Sequence, residues 1–353
     1  MTAAIDQVTS ALLEVRDLEV EFDTYGGTVH AVRGVSFEVH AGKTLAIVGE
    51  SGCGKSVTVQ SIMGLIPSPP GRIVGGTAKL RGKEIIDGVT TDGEIVRGSQ
   101  IGMIFQDPMT SLNPTMTIGD QIAETLQVHR GFSHSQALRL AVELLEMTRI
   151  NEPSRRARQY PFEFSGGMLQ RSMIAMAIAC GPSILIADEP TTALDVTIQS
   201  QILDLLRDLQ RENNMAIILI THDLGVVARM ADEVAVMYAG EFLETGTADD
   251  IFYSSAHPYT VGLRAAMPTN RDESEQDLMP IDGSPPDLFA PPPGCAYFAR
   301  CPHAMEACRN DPPPGFAVGS GHMTRCWLHH ADCARRIDDL HYAAAAPLEG
   351  RDA

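Results

Sequence analysis

Residues Gly49 to Ser56 read GESGCGKS and follow directly on the apolar run Leu45-Ala46-Ile47-Val48. Val57, Val59 and Ile62 then continue at helical spacing. A buried strand that feeds a glycine-rich turn, a lysine, a hydroxyl and a helix is the G-x-x-x-x-G-K-[ST] phosphate loop in its confirming context. Each residue type answers a chemical need. Glycines let backbone N–H groups close around a phosphate at the positive end of the following helix. Lys55 can reach the β- and γ-phosphates of a nucleotide, and Ser56 can offer its hydroxyl to Mg²⁺. Gly49, Ser51, Gly52, Cys53, Gly54, Lys55, Ser56 and Val57 are therefore the candidate phosphate contacts.

The chain's 353 residues have room for one large α/β domain with a smaller appendage, or for two domains. No uninterrupted apolar stretch is long enough to span a bilayer, and the start MTAAIDQVTS lacks a basic, apolar secretory signal. A cytosolic chain is the expectation. Its formal charge of −18, from 45 acidic against 27 basic residues, disfavours non-specific binding to nucleic acid or anionic lipid. Membrane attachment is expected to run through a protein partner.

Strand-like alternation occupies residues 13–22 and 28–40 ahead of the phosphate loop. Ile101 to Phe105 reads as another strand, ending at Gln106. From about residue 115 to 182 the pattern is helical, with Ile118, Ile122 and Leu126 on one face and Leu138, Val142 and Leu145 on another. That block reads as a helical subdomain inserted into an α/β core. Strand patterns resume at 183–189 and 216–223, separated by a helix over 197–212, and two short strands flank Ala239-Gly240. Residues 268–294, rich in proline and aspartate, read as a linker, and the tail from Ala343 onward as frayed.

Five further elements follow the phosphate loop in order. The apolar strand Ser183 to Ala187 ends in Asp188 and Glu189, placed to hold a Mg²⁺ shell and to polarise an attacking water. Phe164-Ser165-Gly166-Gly167-Met168 opens a helix over 168–180, an arrangement that can bind an anion. Gln106 ends a strand, where its amide can sense Mg²⁺ or water. Thr192-Ala193-Leu194-Asp195 follows the acidic pair, and His222 terminates the strand at 216–221, within reach of a γ-phosphate.

Together the six elements resemble the nucleotide-binding subunit of an ABC transporter, across roughly residues 11–265. Gly49 to Ser56 is similar to the Walker A motif and Ser183 to Glu189 to the Walker B motif with its catalytic glutamate. Gln106 resembles the Q-loop, Phe164 to Met168 the signature motif, Ala193 to Asp195 the D-loop and His222 the H-loop. Met168 stands where the signature usually carries Gln and Phe164 where it has Leu, while Ser165, Gly166 and Gly167 are retained. The resemblance implies a P-loop NTPase core of ABC type with an antiparallel β subdomain, the helical insertion and a cysteine-rich C-terminal extension. It implies that Glu189, His222 and Gln106 are catalytic, that Ser56, Gln106 and Asp188 hold Mg²⁺, and that Asp195 and the aromatic Tyr25 contact ATP. Such domains pair head to tail, so Ser165 to Gly167 would serve a partner's nucleotide. A second ATPase chain, two membrane permeases and an extracytoplasmic binding protein are the implied partners, at the cytoplasmic membrane face. A soluble ABC ATPase acting on DNA or ribosomes is disfavoured by the single phosphate loop, the short insertion and the acidic composition.

His257-Pro258-Tyr259-Thr260 with Leu263, Ala266 and Pro268 is similar to a segment of the oligopeptide/dipeptide transporter ATPases. Gly283 to Pro286, Pro293 to Cys295 and Arg300 to Pro302 also resemble that family's extension, placed here at 266–340. Peptide import is the implied activity, with nickel or glutathione import as alternatives. Five of the seven cysteines crowd into Cys295 to Cys333, which in a cytosolic chain suggests metal rather than disulfides. Cys295, Cys301, Cys308 and Cys326 suit a [4Fe–4S] cluster or a tetrahedral zinc site. Cys333 is an alternative fourth ligand, and His303, His329 and His330 are alternative zinc ligands. Free thiols are the remaining alternative, and family resemblance favours the cluster.

Overall fold

The computed structural model describes residues 11–88, 96–192, 194–266 and 281–333. Two sheets organise it. One is antiparallel, ordered β2-β1-β4-β5, from β1 (Leu13–Thr24), β2 (Gly27–Val39), β4 (Gly71–Leu80) and β5 (Lys83–Asp87). The second has eight strands, ordered β11-β12-β10-β9-β3-β8-β7-β6. Its parallel part comprises β3 (Thr44–Val48), β6 (Ile101–Ile104), β7 (Ile184–Asp188), β8 (Ala216–Thr221) and β9 (Glu233–Tyr238). Strands β3, β6, β7 and β8 are buried at every residue, the pattern of a parallel sheet covered on both faces.

Helix α1 (Lys55–Ile62) lies between the sheets. Its Val59 and Ile62 share one core with Leu13, Val20 and Val35 on one side and Ile47, Ile186 and Ile218 on the other. The opposite face of the parallel strands carries α4 (Gly166–Ile178), α5 (Val196–Asn213) and α6 (Leu224–Met230). Ile202, Leu205, Leu206 and Leu209 of α5 recur at helical spacing and are fully buried there. Helices α2 (Ile118–Arg130) and α3 (His134–Met147) pack with α4 in a separate apolar cluster. Phe164 and Met168, the two departures from the usual signature, pack against that cluster.

Some elements differ from the sequence expectation. Strands β4 and β5 carry no clear alternation, because Gly75 and Gly76 interrupt β4 and only four of its ten residues are buried. The strand expected through Phe105 stops at Ile104, and the helix expected over 168–180 runs from Gly166 to Ile178. The signature glycines thus form the helix's first turn.

The C-terminal segment is not a loose appendage. Strand β12 (His322–Thr324) pairs with β10 (Glu241–Thr247), and β11 (Phe316–Gly319) pairs with β12, which extends the main sheet. After α7 (Ala248–Tyr253) and α8 (Pro258–Ala265), Tyr297 packs in a buried ring cluster with Tyr238 and Tyr259. A buried carboxylate secures the junction. Glu244 accepts from the backbone N–H of Ala256 and His257 at 2.6 and 2.9 Å and pairs with His322 at 2.8 Å. Within the expected linker, residues 281–294 contain no helix or strand, while 267–280 and the tail from 334 lie outside the described residues. Among the described residues no helix is long and apolar enough to cross a membrane.

Candidate active site

The parallel strands β3, β8, β7 and β6 are sheet neighbours, so whatever follows their C-terminal ends is gathered along one edge. Ligands of open α/β sheets bind at that edge. The phosphate loop follows β3, His222 follows β8, Asp188 and Glu189 lie at the end of β7, and Gln106 follows β6. Sequence elements up to 173 residues apart are therefore brought together by strand order alone.

Two glycines of the loop have no substitute. A side chain at Gly49 would place Cβ 2.1 Å from the Met237 carbonyl oxygen. At Gly54 it would lie 2.4 Å from the Ala31 carbonyl, on a backbone at φ 106° that L residues rarely adopt. Lys55 is buried and donates from Nζ to the carbonyls of Gly49 and Glu50, each at 2.9 Å, so its cation spans the loop. Ser51 and Gly52 are exposed, while Cys53 is buried beside Lys55. Val57 faces the core rather than the loop mouth.

Ser56 donates to Asp188 Oδ1 at 3.0 Å. Burial pushes the Asp188 carboxyl above its ordinary value, the Ser56 bond and Lys55 oppose this, and the charge of Glu189 adds to it. A hydroxyl and a buried carboxylate in contact form an oxygen-only donor pair of the kind Mg²⁺ takes. Glu189 sits at a positive φ of 47° and is the hub of a small network. Gln106 Nε2 donates to its Oε2 at 2.8 Å, Thr192 Oγ1 donates to the same oxygen at 3.0 Å, and His222 Nδ1 lies 3.1 Å from Oε1. Burial raises the Glu189 carboxyl, but the bonds from His222 and Thr192 and the charges of His222 and Lys55 outweigh it, leaving the group below its usual value. Glu189 is thus an ionised carboxylate at neutral pH, aimed along the same edge as the phosphate loop.

Other sequence candidates sit apart. Ser165 and Gly166 are exposed at the start of α4, and the Ser165 side chain makes no capping bond there. Asp195 caps α5, its Oδ1 accepting from the Ile198 N–H at 2.9 Å. Ala193 lies outside the described residues. Tyr25 projects fully exposed from the β1–β2 turn. Thr192, which opens the segment after the acidic pair, was given no role by sequence reasoning; its one signal was a hydroxyl three residues beyond Glu189.

The family model described as "ABC transporter" matches residues 32–192, and that of "Oligopeptide/dipeptide transporter, C-terminal region" matches residues 243–308. The oligopeptide transport ATP-binding protein OppD of Bacillus subtilis (strain 168) is 56% identical over 324 residues, 92% of this chain and 90% of the relative. This chain belongs to the oligopeptide/dipeptide transporter family of ABC ATP-binding proteins. The dipeptide transport ATP-binding protein DppD of the same bacterium is 53% identical over 90% of this chain and 94% of its own length. Among solved structures, a dimeric post-hydrolysis ATP-binding cassette, MJ0796 bound to ADP and Pi, is similar at a TM-score of 0.59 and 27% identity. It covers 67% of this chain and 98% of its own. This ABC ATP-binding chain is accordingly an ATPase coupled to transport, with ATP and Mg²⁺ as the implied ligands.

Its extension holds a second cluster. Cys295, Cys301, Cys308 and Cys326 line one pocket with His257, Phe298 and Trp327, all four as free thiols. Among the described residues no group of three or more His, Cys, Asp or Glu is arranged to hold a metal ion, so the expected cluster has no preassembled ligand set. Burial pushes the Cys295 thiol up to about 11 and Cys301 up to about 12, with the neighbouring thiols adding to both. The alternative ligands are otherwise engaged: Cys333 lies against Met305 Sδ at 3.8 Å, and His329 Nε2 lies 2.7 Å from the Ala256 carbonyl. His330 meets Trp327 edge-to-face, and His303 lines the pocket.

Proposed function

We propose that this chain is the ATP-hydrolysing subunit of an ABC importer that takes up peptides, working peripherally at the cytoplasmic membrane face. The observation that carries the reading is Glu189, held by Gln106, Thr192 and His222 beside the Ser56–Asp188 pair. Support for peptides as cargo comes from the names of the relatives, which are oligopeptide and dipeptide transport ATP-binding proteins. The working division is a nucleotide-binding domain at 11–265, with its helical subdomain at about 115–182, and the cysteine-rich extension at 266–340.

The chemistry follows from the side chains. Glu189 accepts a proton from the attacking water, whose oxygen bonds to the γ-phosphorus as the bond to the β–γ bridging oxygen breaks. ADP and phosphate leave. Gln106 and Thr192 hold the carboxylate in place, and His222 fixes its second oxygen. Lys55 turns from the loop carbonyls to the β- and γ-phosphates. Ser56 and Asp188, with Gln106, would hold Mg²⁺, which would supply positive charge to the phosphates. Tyr25 offers an exposed ring for adenine. The exposed Ser165 and Gly166, with Gly167 beside them, would face the nucleotide of a second, similar ATPase subunit, as would Asp195.

The finer cofactor reading is a [4Fe–4S] cluster held by Cys295, Cys301, Cys308 and Cys326. Two observations support it. Four thiols share a single pocket. In addition, the Tyr259 N–H donates to His257 Nδ1 at 3.0 Å, so His257 carries its hydrogen on Nε2, which is buried and has no partner. Thiolate or sulfide sulfur would supply the missing acceptor. When bound, the cluster cross-links a proline-rich segment.

Reconstitution with two permease subunits and a binding protein tests the function. Peptide-stimulated ATPase activity and uptake are expected. Stimulation by nickel or glutathione alone would replace the cargo, and failure to assemble with permeases would reject transport.

A further inference from the structure

Glu50, the second residue of the phosphate loop, is gripped from two sides by residues far along the chain. Its backbone N–H donates to Tyr259 Oη at 3.1 Å, and its two carboxylate oxygens accept from Arg300 Nη1 at 3.0 and 2.8 Å. Arg300 is itself fixed. Its Nε donates to the Asp282 carbonyl at 2.9 Å, its Nη2 to that of Ile281 at 3.1 Å, and its Nη1 to Tyr238 Oη at 3.3 Å. The Arg300 side chain is only 6% exposed and that of Glu50 24%. Both partners thus lie largely out of water, where a charge-assisted pair is strong and an unpaired charge is costly.

The position of this pair is what matters. A carboxylate one residue into a phosphate cradle would repel a polyanion, and a neighbouring guanidinium cancels that charge. The Glu50 N–H is committed to Tyr259, which ties the start of the loop to that ring. Tyr259 belongs to the His257-Pro258-Tyr259-Thr260 segment and Arg300 to Arg300-Cys301-Pro302, two motifs to which the hydrolytic chemistry assigns no part.

We propose that Arg300 is a positioning residue of the phosphate loop. It neutralises and orients Glu50, so the extension sets nucleotide affinity from outside the cradle. This rests on reading residues 49–56 as the cradle of ATP.

The test is a titration of purified full-length chain with Mg-ATP, alongside its melting temperature. Arg300→Ala weakens ATP binding about tenfold, equivalent to about 1.4 kcal/mol. Adding Glu50→Gln to Arg300→Ala removes the unpaired charge and returns affinity to within about threefold of the unmodified chain, a non-additive result. A purely structural arginine would lower the melting temperature and leave ATP affinity unchanged, or would give a double variant that binds no better than Arg300→Ala; either result overturns the proposal. Arg300→Gln serves the same comparison where Arg300→Ala does not fold. Lys55→Ala separates the two readings. If it binds ATP normally the cradle itself is misassigned, and if it alone fails to bind, only the role of Arg300 falls.

Discussion

Gln106 donates to Glu189 at 2.8 Å although 83 residues separate them, because β6 and β7 are adjacent parallel strands and each residue lies just beyond or near its strand's end. The amide therefore reports directly on the carboxylate. Any displacement of the segment after Gln106, which continues through Asp107 and Pro108, pulls on the carboxylate proposed to accept the water's proton.

Lys55→Ala is expected to weaken ATP binding by roughly tenfold to a hundredfold, since charge-assisted hydrogen bonds contribute about 1.5–3 kcal/mol. Equilibrium titration checks it. Unchanged affinity would remove the lysine from the cradle.

Much of the site was legible because its parts are contiguous. Gly49 to Ser56 and Ser183 to Glu189 each combine a buried strand with the reactive residues that follow it, so local pattern reveals both. The remainder depends on contacts between distant segments. Nothing in the sequence places Thr192 Oγ1 on Glu189, or Arg300 on a loop 250 residues earlier. Strands β4, β11 and β12 were equally hidden, since glycines interrupt β4 and the other two are short strands at the sheet's edge, β12 ordered by pairing with β10 and β11 by pairing with β12. Asp195 shows the converse. Its place in a motif suggests a nucleotide contact, while its carboxylate caps a helix.

The thiol pocket predicts a visible property. Anaerobically purified protein is expected to be brown and to contain about four irons per chain. Cys326→Ser should lose that colour and lower the melting temperature, whereas Cys333→Ser should keep both, because Cys326 lines the pocket and Cys333 lies against Met305. Iron analysis and calorimetry decide it. One zinc per chain would replace the cluster.

Stability should depend on pH through His322. Its hydrogen bond to Glu244 raises the imidazolium pKa, burial opposes this, and the charges of Glu244 and Asp250 add to the rise. A raised folded-state value means that this contribution is fully present below the unfolded value of 6.5 and is lost as pH rises through the folded one. The melting temperature should therefore fall between mildly acidic and mildly alkaline pH by more than that of His322→Gln. Parallel profiles would place the pair outside the pH response.

Glu189 is the group proposed to accept the water's proton. The most direct measurement is steady-state ATP hydrolysis by the assembled transporter carrying Glu189→Gln in this chain, with ATP affinity measured on the same preparation. The amide keeps the shape and cannot accept the proton, so turnover at this site should fall at least about a hundredfold. ATP affinity should stay within about twofold, because Lys55, Ser56 and the loop amides are untouched. Unaltered single-turnover cleavage of the ATP bound at this chain's phosphate loop would contradict the assignment.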